Sequence, residues 1–211
     1  MFVLKRTDDN EVLTEKNGEG DLNIDYARRA QLFLEVYEND VDTDKGYQKF
    51  DLKEELGECG EYPYGFTSNT GMIKPCIFLK FNKIWGWNPK PIDSVDFVDN
   101  EDWPTSFKDH WDQVEDQNQI FVDCQGRYPA DQEAIKAGMK YIPDSQGFPA
   151  KYFPFSGNKD AYHSPLVAVQ FDASQMPLGQ LIHVECRAYY KGVIHTTKTK
   201  TGMVQFEILL N

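Results

Sequence analysis

Apolar and polar side chains alternate along several segments in the second half of the chain. Within residues 181–190, Ile182, Val184, Cys186 and Ala188 fall on one side, and charged residues fall between them. This period of two is typical of a β-strand with one buried face. Alternation or a short apolar run predicts strands at 77–83, 120–124, 166–171, 181–190 and 203–210.

The N-terminal part contains the clearest helical pattern. In residues 26–38, Ala30, Phe33, Leu34 and Tyr37 recur on one stripe, which predicts an amphipathic helix. Residues 84–119 are rich in Trp, Pro, Asp and Asn, which predicts long loops. We expect further short elements: a strand in FVLKR (2–6), a helix near 105–116, and a helix in ADQEAIKAG (130–138) followed by a Pro/Tyr/Phe-rich loop.

Strands joined by turn-rich connections predict an antiparallel β-sandwich. The composition agrees, because an aromatic content of 14% with 15 Gly and 11 Pro favours strands and loops over a helical bundle. The chain has neither internal repeats nor a low-complexity linker, so we expect residues 1–211 to form a single domain.

The net charge of −12 argues against nucleic acid or an anionic membrane surface as the main partner. The acidity is concentrated at the front, where residues 1–60 hold 16 acidic and 8 basic side chains, whereas residues 161–211 hold 3 and 4. No apolar run approaches the roughly 18–20 residues of a membrane span. The N-terminus also lacks the apolar core of a signal peptide.

The four cysteines predict two disulfides. Cys124 and Cys186 lie on the apolar faces of their strands, where we expect them to meet across a core, and Cys59 and Cys76 flank a loop rich in Gly, Pro and Asn. The expected bridges, Cys59–Cys76 and Cys124–Cys186, contribute about 3 and about 4 kcal/mol by loop entropy. Four buried thiols of a cytosolic protein remain the alternative. Disulfides favour an extracellular setting, although the chain has no Asn-x-Ser/Thr sequon.

Catalytic signatures are missing from the sequence. There is no GxSxG, HExxH, Walker-type or GxGxxG motif. The histidines are scattered without metal-ligand spacing, and we expect each on the surface or in a loop: His110, His163, His183 and His195. We therefore predict no catalytic residue, no cofactor and no metal.

An acidic segment at 40–51 resembles a calcium loop at first sight. Three aspartates occupy positions one, three and five, but position six is Lys45, Gly46 comes one place late, and position twelve is Asp51 in place of Glu. We interpret the segment as a solvated acidic turn.

Five blocks, in order, carry a resemblance to a known family. They are KPCIFLKFNKIWGWNPKP (74–91), CQGRYPADQEAI (124–135), YIPDSQGFPAKYFPF (141–155), SPLVAVQF (164–171) and HVECRAY (183–189). Together they closely resemble the β-subunits of the Na,K-ATPase, especially those of insects and other invertebrates. The resemblance covers roughly residues 56–211, and residues 1–55 match loosely.

That resemblance implies a type II membrane protein with a cytoplasmic tail, one transmembrane helix and a disulfide-bonded ectodomain, of which this chain looks like the ectodomain alone. The implied location is the extracellular face of the plasma membrane. The implied fold is an immunoglobulin-like sandwich of atypical topology with a helical insertion. The implied subunit is non-catalytic and assembles with the catalytic α-subunit of the pump, supporting its folding, delivery and ion-transport properties. A third disulfide and glycosylation sites, usual in the family, are absent here.

The resemblance also implies a contact site for the α-subunit, facing the extracellular loop between its seventh and eighth membrane segments. The implied residues are Tyr152, Phe153, Pro154 and Phe155. Aromatic side chains suit such a role because they bring large apolar area with few rotors. The alternative is a self-packed loop that covers one end of the sandwich. We expect Trp85 and Trp87 to be core or rim packing residues.

A second functional hypothesis is homotypic cell adhesion by a divergent, pump-independent paralogue. The charge of −12 disfavours close self-association unless the near-neutral C-terminal part forms the contact. A hydrolase or a lectin on a sandwich scaffold lacks any supporting group of residues.

Overall fold

A computed structural model describes residues 1–4, 22–68, 72–99, 103–196 and 198–211 of the chain, and it contains two β-sheets. The strands are β1 (Phe2–Leu4), β2 (Cys76–Lys80), β3 (Gln119–Gly126), β4 (Met139–Ile142), β5 (Gly147–Pro149), β6 (Leu166–Phe171), β7 (Leu181–Tyr189) and β8 (Met203–Leu210). One sheet has the order β1-β8-β7-β3-β5 and the other β2-β6-β4. β1 joins β8 in parallel, and each other described strand pair is antiparallel.

The described helices lie between the strands along the chain. The α-helices are α1 (Leu22–Leu34), α2 (Leu52–Leu56), α3 (Ser94–Asp99), α4 (Thr105–Gln113) and α5 (Pro129–Ile135). Short 3-10 helices occur at Glu35–Glu38, Thr43–Lys45, Gly57–Gly60, Ala150–Tyr152, Lys159–Ala161 and Ala173–Gln175. Among the described residues, no helix has both the length and the apolar composition of a membrane span.

The two sheets pack face to face, and the alternation seen in the sequence decides which side chains meet between them. Ile120 and Val122 of β3 are buried in the main core, as are Ile182 and Val184 of β7. The residues between them point to the opposite face of the same sheet. The fold is therefore an immunoglobulin-like antiparallel sandwich with atypical strand order and a helical insertion, and the predicted fold class is confirmed.

β6, in the middle of the smaller sheet, is buried along its whole length. One of its faces meets the five-stranded sheet. The other carries Gln170, whose side-chain amide approaches the sulfur atoms of Cys59 and Cys76. A strand that is apolar on both faces needs cover on both sides, and the N-terminal segment supplies the second cover.

α1 and the turns after it form that cover. α1 buries Asn23, Ile24, Ala27 and Leu34, so its buried stripe begins earlier than the predicted one and leaves Phe33 partly exposed. The helix itself ends at residue 34, and a 3-10 turn continues it, where the buried Tyr37 hydroxyl donates to the Ser164 carbonyl oxygen at 2.7 Å. This bond ties the N-terminal layer to the segment that leads into β6.

Residues 92–99 and 103–118 form an insertion on the outer face of the five-stranded sheet. Its helices α3 and α4 bury a separate small core that includes Phe97, Phe107 and Trp111. Phe107 stacks on Tyr189 of β7 with ring centroids 4.1 Å apart, and it also approaches Phe121 of β3. The insertion therefore buries Phe121 and Tyr189, which lie on the face of the sheet opposite the main core.

Both expected disulfides are formed. Cys59 lies in a 3-10 turn and joins Cys76 at the start of β2. Cys124 and Cys186 face each other on β3 and β7, with Cα atoms 3.9 Å apart. Since these strands are neighbours in one sheet, the expectation that the two cysteines meet across the core was wrong, although both do lie on the inner face.

The prediction of secondary structure missed four short elements. The strands β4 and β5 lie in the segment predicted to be a helix and a loop, and α2 and α3 were not predicted. The strand predicted at 77–83 ends at Lys80, and the helix predicted at 105–116 ends at residue 113. Of the FVLKR strand, residues 5 and 6 lie outside the described part of the chain.

His163 makes the stability of this fold sensitive to pH. The ring is fully buried, Nδ1 accepts from the Phe50 amide at 3.2 Å, and Nε2 has no hydrogen-bond partner among the described residues. Burial lowers the pKa of His163, and burial also lowers the pKa of His195. As the pH falls through the histidine pKa of the unfolded chain, the unfolded chain therefore binds more protons than the folded chain. The two histidines stabilise the fold above about pH 6.5, and this stabilisation is lost as the pH falls further.

We expect the free energy of unfolding to fall between pH 7.5 and pH 5.5 by up to about 1.4 kcal/mol for each of the two histidines. His163→Asn keeps an acceptor for the Phe50 amide but cannot be protonated, so it should reduce this pH dependence. Urea titrations at several pH values measure the slope. An unchanged slope in His163→Asn would contradict this assignment.

Candidate partner-binding surface

The four residues of the YFPF loop point in different directions. The loop follows the 3-10 turn at Ala150–Tyr152, and Phe153 marks its C-terminal cap. Tyr152 and Phe155 are buried, Phe153 is half-buried, and Pro154 is exposed. The loop is therefore partly self-packed, with the second and third of its residues nearer the surface.

Tyr152 anchors the loop to the N-terminal layer. Its hydroxyl donates to Glu55 Oε1 at 2.9 Å and lies 3.4 Å from the Lys49 carbonyl oxygen. Its ring packs edge-on against Phe50 with centroids 5.3 Å apart. Burial, followed by the hydrogen bond to Glu55, raises the pKa of Tyr152, so the hydroxyl stays protonated and remains a donor at neutral pH.

Phe155 belongs to a small aromatic cluster with Tyr47 and Tyr162. The Tyr47 hydroxyl accepts from the Ser156 amide at 2.7 Å and lies 2.9 Å from the Gly157 carbonyl oxygen. The Tyr162 hydroxyl donates to the Tyr152 carbonyl oxygen at 2.9 Å. The hydroxyl groups of Tyr47, Tyr152 and Tyr162 thus hold the loop in place through hydrogen bonds on its buried side.

A second segment, residues 83–87, runs beside the loop. The Gly86 amide donates to the Phe155 carbonyl oxygen at 2.7 Å, and Trp85 forms an isolated parallel β-bridge with Phe155. Lys83 Nζ donates to carbonyl oxygens on the far side, at positions 159 and 162. The turn that follows β2 and the YFPF loop are therefore held together as one unit.

Gly157 allows the two segments to approach this closely. Its φ is +116°, and a Cβ atom at this position would lie 2.8 Å from Cζ3 of Trp85. A side chain would therefore push the indole away. The glycine sets the position of Trp85 over the loop.

The exposed part of this unit is apolar. Trp85 is 72% exposed and Ile84 is 53% exposed. The parallel bridge between Trp85 and Phe155 aligns this segment with the part of the loop that carries the exposed Pro154. We call Ile84, Trp85 and Pro154 the exposed ridge. The prediction of core or rim packing describes Trp87, which packs against Phe81 and Phe153, but does not describe Trp85.

The ionisable groups here suit binding more than catalysis. Burial raises the pKa of Tyr162 to about 12. Burial and the nearby Lys80 lower the pKa of Lys83. A general acid or base works best with a pKa near the working pH, and the buried tyrosines are instead held in the protonated state.

The remaining candidates from the sequence lie elsewhere. In the described part of the chain, no group of three or more His, Cys, Asp or Glu is arranged to hold a metal ion. The acidic segment forms a 3-10 turn that ends at Gly46 with φ +76°, and Lys45 pairs with Asp42 at 3.8 Å. His183 lies 3.6 Å from both Asp131 and Glu207, on the outer face of its sheet.

Comparisons with known proteins place the chain next to one family. The profile of the sodium/potassium ATPase beta chain matches residues 10–206. The sodium/potassium-transporting ATPase subunit beta-1 of Drosophila melanogaster is 40% identical over 152 residues, which cover 70% of this chain and 45% of that protein. Subunit beta-2 of Drosophila melanogaster is 43% identical over 143 residues, 65% of this chain and 42% of that protein.

A probable sodium/potassium-transporting ATPase subunit beta-3 of Caenorhabditis briggsae is 33% identical over 157 residues, covering 74% of this chain and 42% of that protein. The match therefore spans less than half of the length of each of these three relatives.

Tyr47→Phe tests whether the tyrosine hydroxyl holds the loop. Removing it leaves the Ser156 amide without its acceptor, and we expect a loss of about 1–3 kcal/mol in the free energy of unfolding. Hydrogen exchange at the Ser156 amide should accelerate. Tyr62→Phe is the matched control, because Tyr62 is 45% exposed, and we expect its change to stay within about 0.5 kcal/mol. Equal effects of the two variants would contradict the role of Tyr47.

Proposed function

Since the chain belongs to the sodium/potassium ATPase beta chain family, we propose that it is a non-catalytic subunit that assembles with the catalytic α-subunit of a sodium/potassium pump. We place it on the extracellular face of the plasma membrane, attached through a membrane-spanning helix of the longer protein. Its roles are to support the folding and delivery of the α-subunit and to adjust ion transport.

One observation carries the proposal for how the chain binds: an exposed apolar ridge rests on a support that is fixed by hydrogen bonds. Trp85 offers a large apolar surface to solvent while its position is set by Phe155 and Gly157. A side chain held in place loses little conformational entropy on binding, so more of the burial energy remains for association. Tryptophan is also among the residues that most often dominate binding interfaces.

The contact residues implied by the resemblance divide into two roles in this proposal. Pro154 and the exposed edge of Phe153 touch the α-subunit, together with Ile84 and Trp85. Tyr152 and Phe155 are buried and position the loop from behind. The rest of the chain then acts as the scaffold that presents this surface.

The proposed effect on the α-subunit is thermodynamic. A partner that binds only the folded state stabilises it by mass action, and it covers apolar surface that would otherwise be exposed. No catalytic group is needed for this role. The experiment must therefore measure assembly and delivery, and separate these from the folding of the subunit itself.

We expect Trp85→Ala combined with Ile84→Ser to weaken assembly by about 10-fold or more, because each removes exposed apolar contact at the proposed interface. The folded chain should keep its stability, since neither side chain is buried. The chain is fused behind a single membrane-spanning helix and expressed with an invertebrate sodium-pump α-subunit. Co-purification measures assembly, and ouabain-sensitive potassium uptake measures delivery.

Val95→Ser is the matched control, because Val95 is 61% exposed and lies on the insertion away from the ridge. Uptake above that of the α-subunit alone, lost in the ridge variant and kept in the control, supports the proposal. Full assembly of the ridge variant would place the interface elsewhere. A folded chain that never raises uptake would instead favour the pump-independent adhesion role, which sedimentation of the free chain at high concentration then tests.

A further inference from the structure

The sandwich is open along one side, between β2 of the smaller sheet and the start of β8. A cleft of about 580 Å³ enters there and reaches the inner face of the larger sheet. Its floor is formed by Val122, Phe148, Cys186 and Ala188. These side chains belong to the sandwich core, so the cleft leads from solvent directly to the space between the two sheets.

β8 shows that this opening is a feature of the strand arrangement. Val204, Ile208 and Leu210 lie on the same face of the strand by alternation. Ile208 and Leu210 are fully buried, but Val204 is 46% exposed and lines the cleft. The inner face of β8 is therefore covered at one end and open at the other.

The walls of the cleft are apolar. Phe33, Phe78 and Phe81 line one side, and Met203 and Val204 line the other. Ligand pockets in proteins typically measure about 300–1,000 Å³ and combine a mostly apolar lining with a few polar groups that orient the ligand. The size and the lining of this cleft both fall within that description.

The charged side chains in the described lining of the cleft are both positive. Lys80 and Lys200 line it, and its described lining includes no acidic side chain. Neither ammonium group has an ion-pair partner among the described residues, and Lys80 Nζ lies 4.6 Å from the centroid of the Phe33 ring. Burial lowers the pKa of Lys80. Among the described residues, two cations without an ion-pair partner therefore stand beside an apolar cleft in a chain with a net charge of −12.

We propose that this cleft binds an amphipathic anion of the long-chain fatty acid class. The aliphatic tail enters between the sheets against Phe148 and Ala188, and the carboxylate remains at the mouth, between Lys80 and Lys200. Each buried methylene group adds to the affinity, so the tail supplies most of the binding energy and the lysines decide which head group is accepted. This inference does not depend on the proposed pump subunit function.

The charge of the lining selects this occupant over others. An uncharged lipid would leave both ammonium groups without a counter-ion, and a second copy of this acidic chain would bring no fatty tail to the space between the sheets. An amphiphile with one negative charge can place its apolar tail between the sheets and its anionic head group beside Lys80 and Lys200.

The test uses cis-parinaric acid, a fluorescent fatty acid, titrated into the whole chain below its critical micelle concentration. We expect saturable binding of one molecule per chain, with displacement by oleate. Lys80→Glu combined with Lys200→Glu should weaken the binding of both acids by about 10-fold, whereas binding of oleyl alcohol, which has no charge, should change by less than about twofold. Lys49→Glu combined with Lys136→Glu, at two exposed positions that do not line the cleft, changes the net charge by the same amount and is the control.

A second pair of variants tests the depth of the site. Val204→Asp places a carboxylate in the cleft at a partly exposed position and should weaken the binding of both the acid and the alcohol, whereas Val95→Asp on the insertion should change neither. Circular dichroism and unfolding curves establish that each variant is folded. Unsaturable binding, or equal effects of the cleft variants and their controls, would overturn the proposal.

Discussion

The burial of β6 on both of its faces is the constraint on which the rest of the structure depends. All six of its residues are buried, so the three-stranded sheet needs a layer on each side. The five-stranded sheet supplies one layer, and α1 with the turns after it supplies the other. This stacking fixes where β2 lies, and β2 in turn delivers the segment at residues 83–87 to the YFPF loop.

That loop separates support from contact. The hydroxyl groups of Tyr47, Tyr152 and Tyr162 satisfy polar atoms within the protein, and their rings fill the space beneath. The Trp85 ring above them packs edge-on against Phe155 and leaves most of its surface exposed to solvent. A protein that needs only to fold does not require an indole fixed in water at this position, and this makes Trp85 informative about function.

The sequence predicted the elements that local periodicity determines. It predicted little of what depends on packing between segments that are distant along the chain. Strands β3, β7 and β8 follow from alternation, and the exposure of Val204 does not, because it depends on how far the opposite sheet extends. β4 and β5 are only four and three residues long, too short for a period to be seen. Trp85 was grouped with Trp87 by their spacing, but the strand ends at Lys80, and beyond it alternation no longer assigns faces.

The two disulfides divide the chain into two covalently closed loops joined by one connecting segment. A single break in the backbone between residues 59 and 76, or between 124 and 186, leaves all parts of the protein chemically linked. A break between residues 81 and 123 leaves the N-terminal layer and β2 without a covalent link to the other strands of the smaller sheet. Packing and strand hydrogen bonds, such as those between β2 and β6, then hold the two parts together. The insertion lies within this segment, so the aromatic side chains that it buries against Phe121 and Tyr189 help to hold the two sides of such a break together.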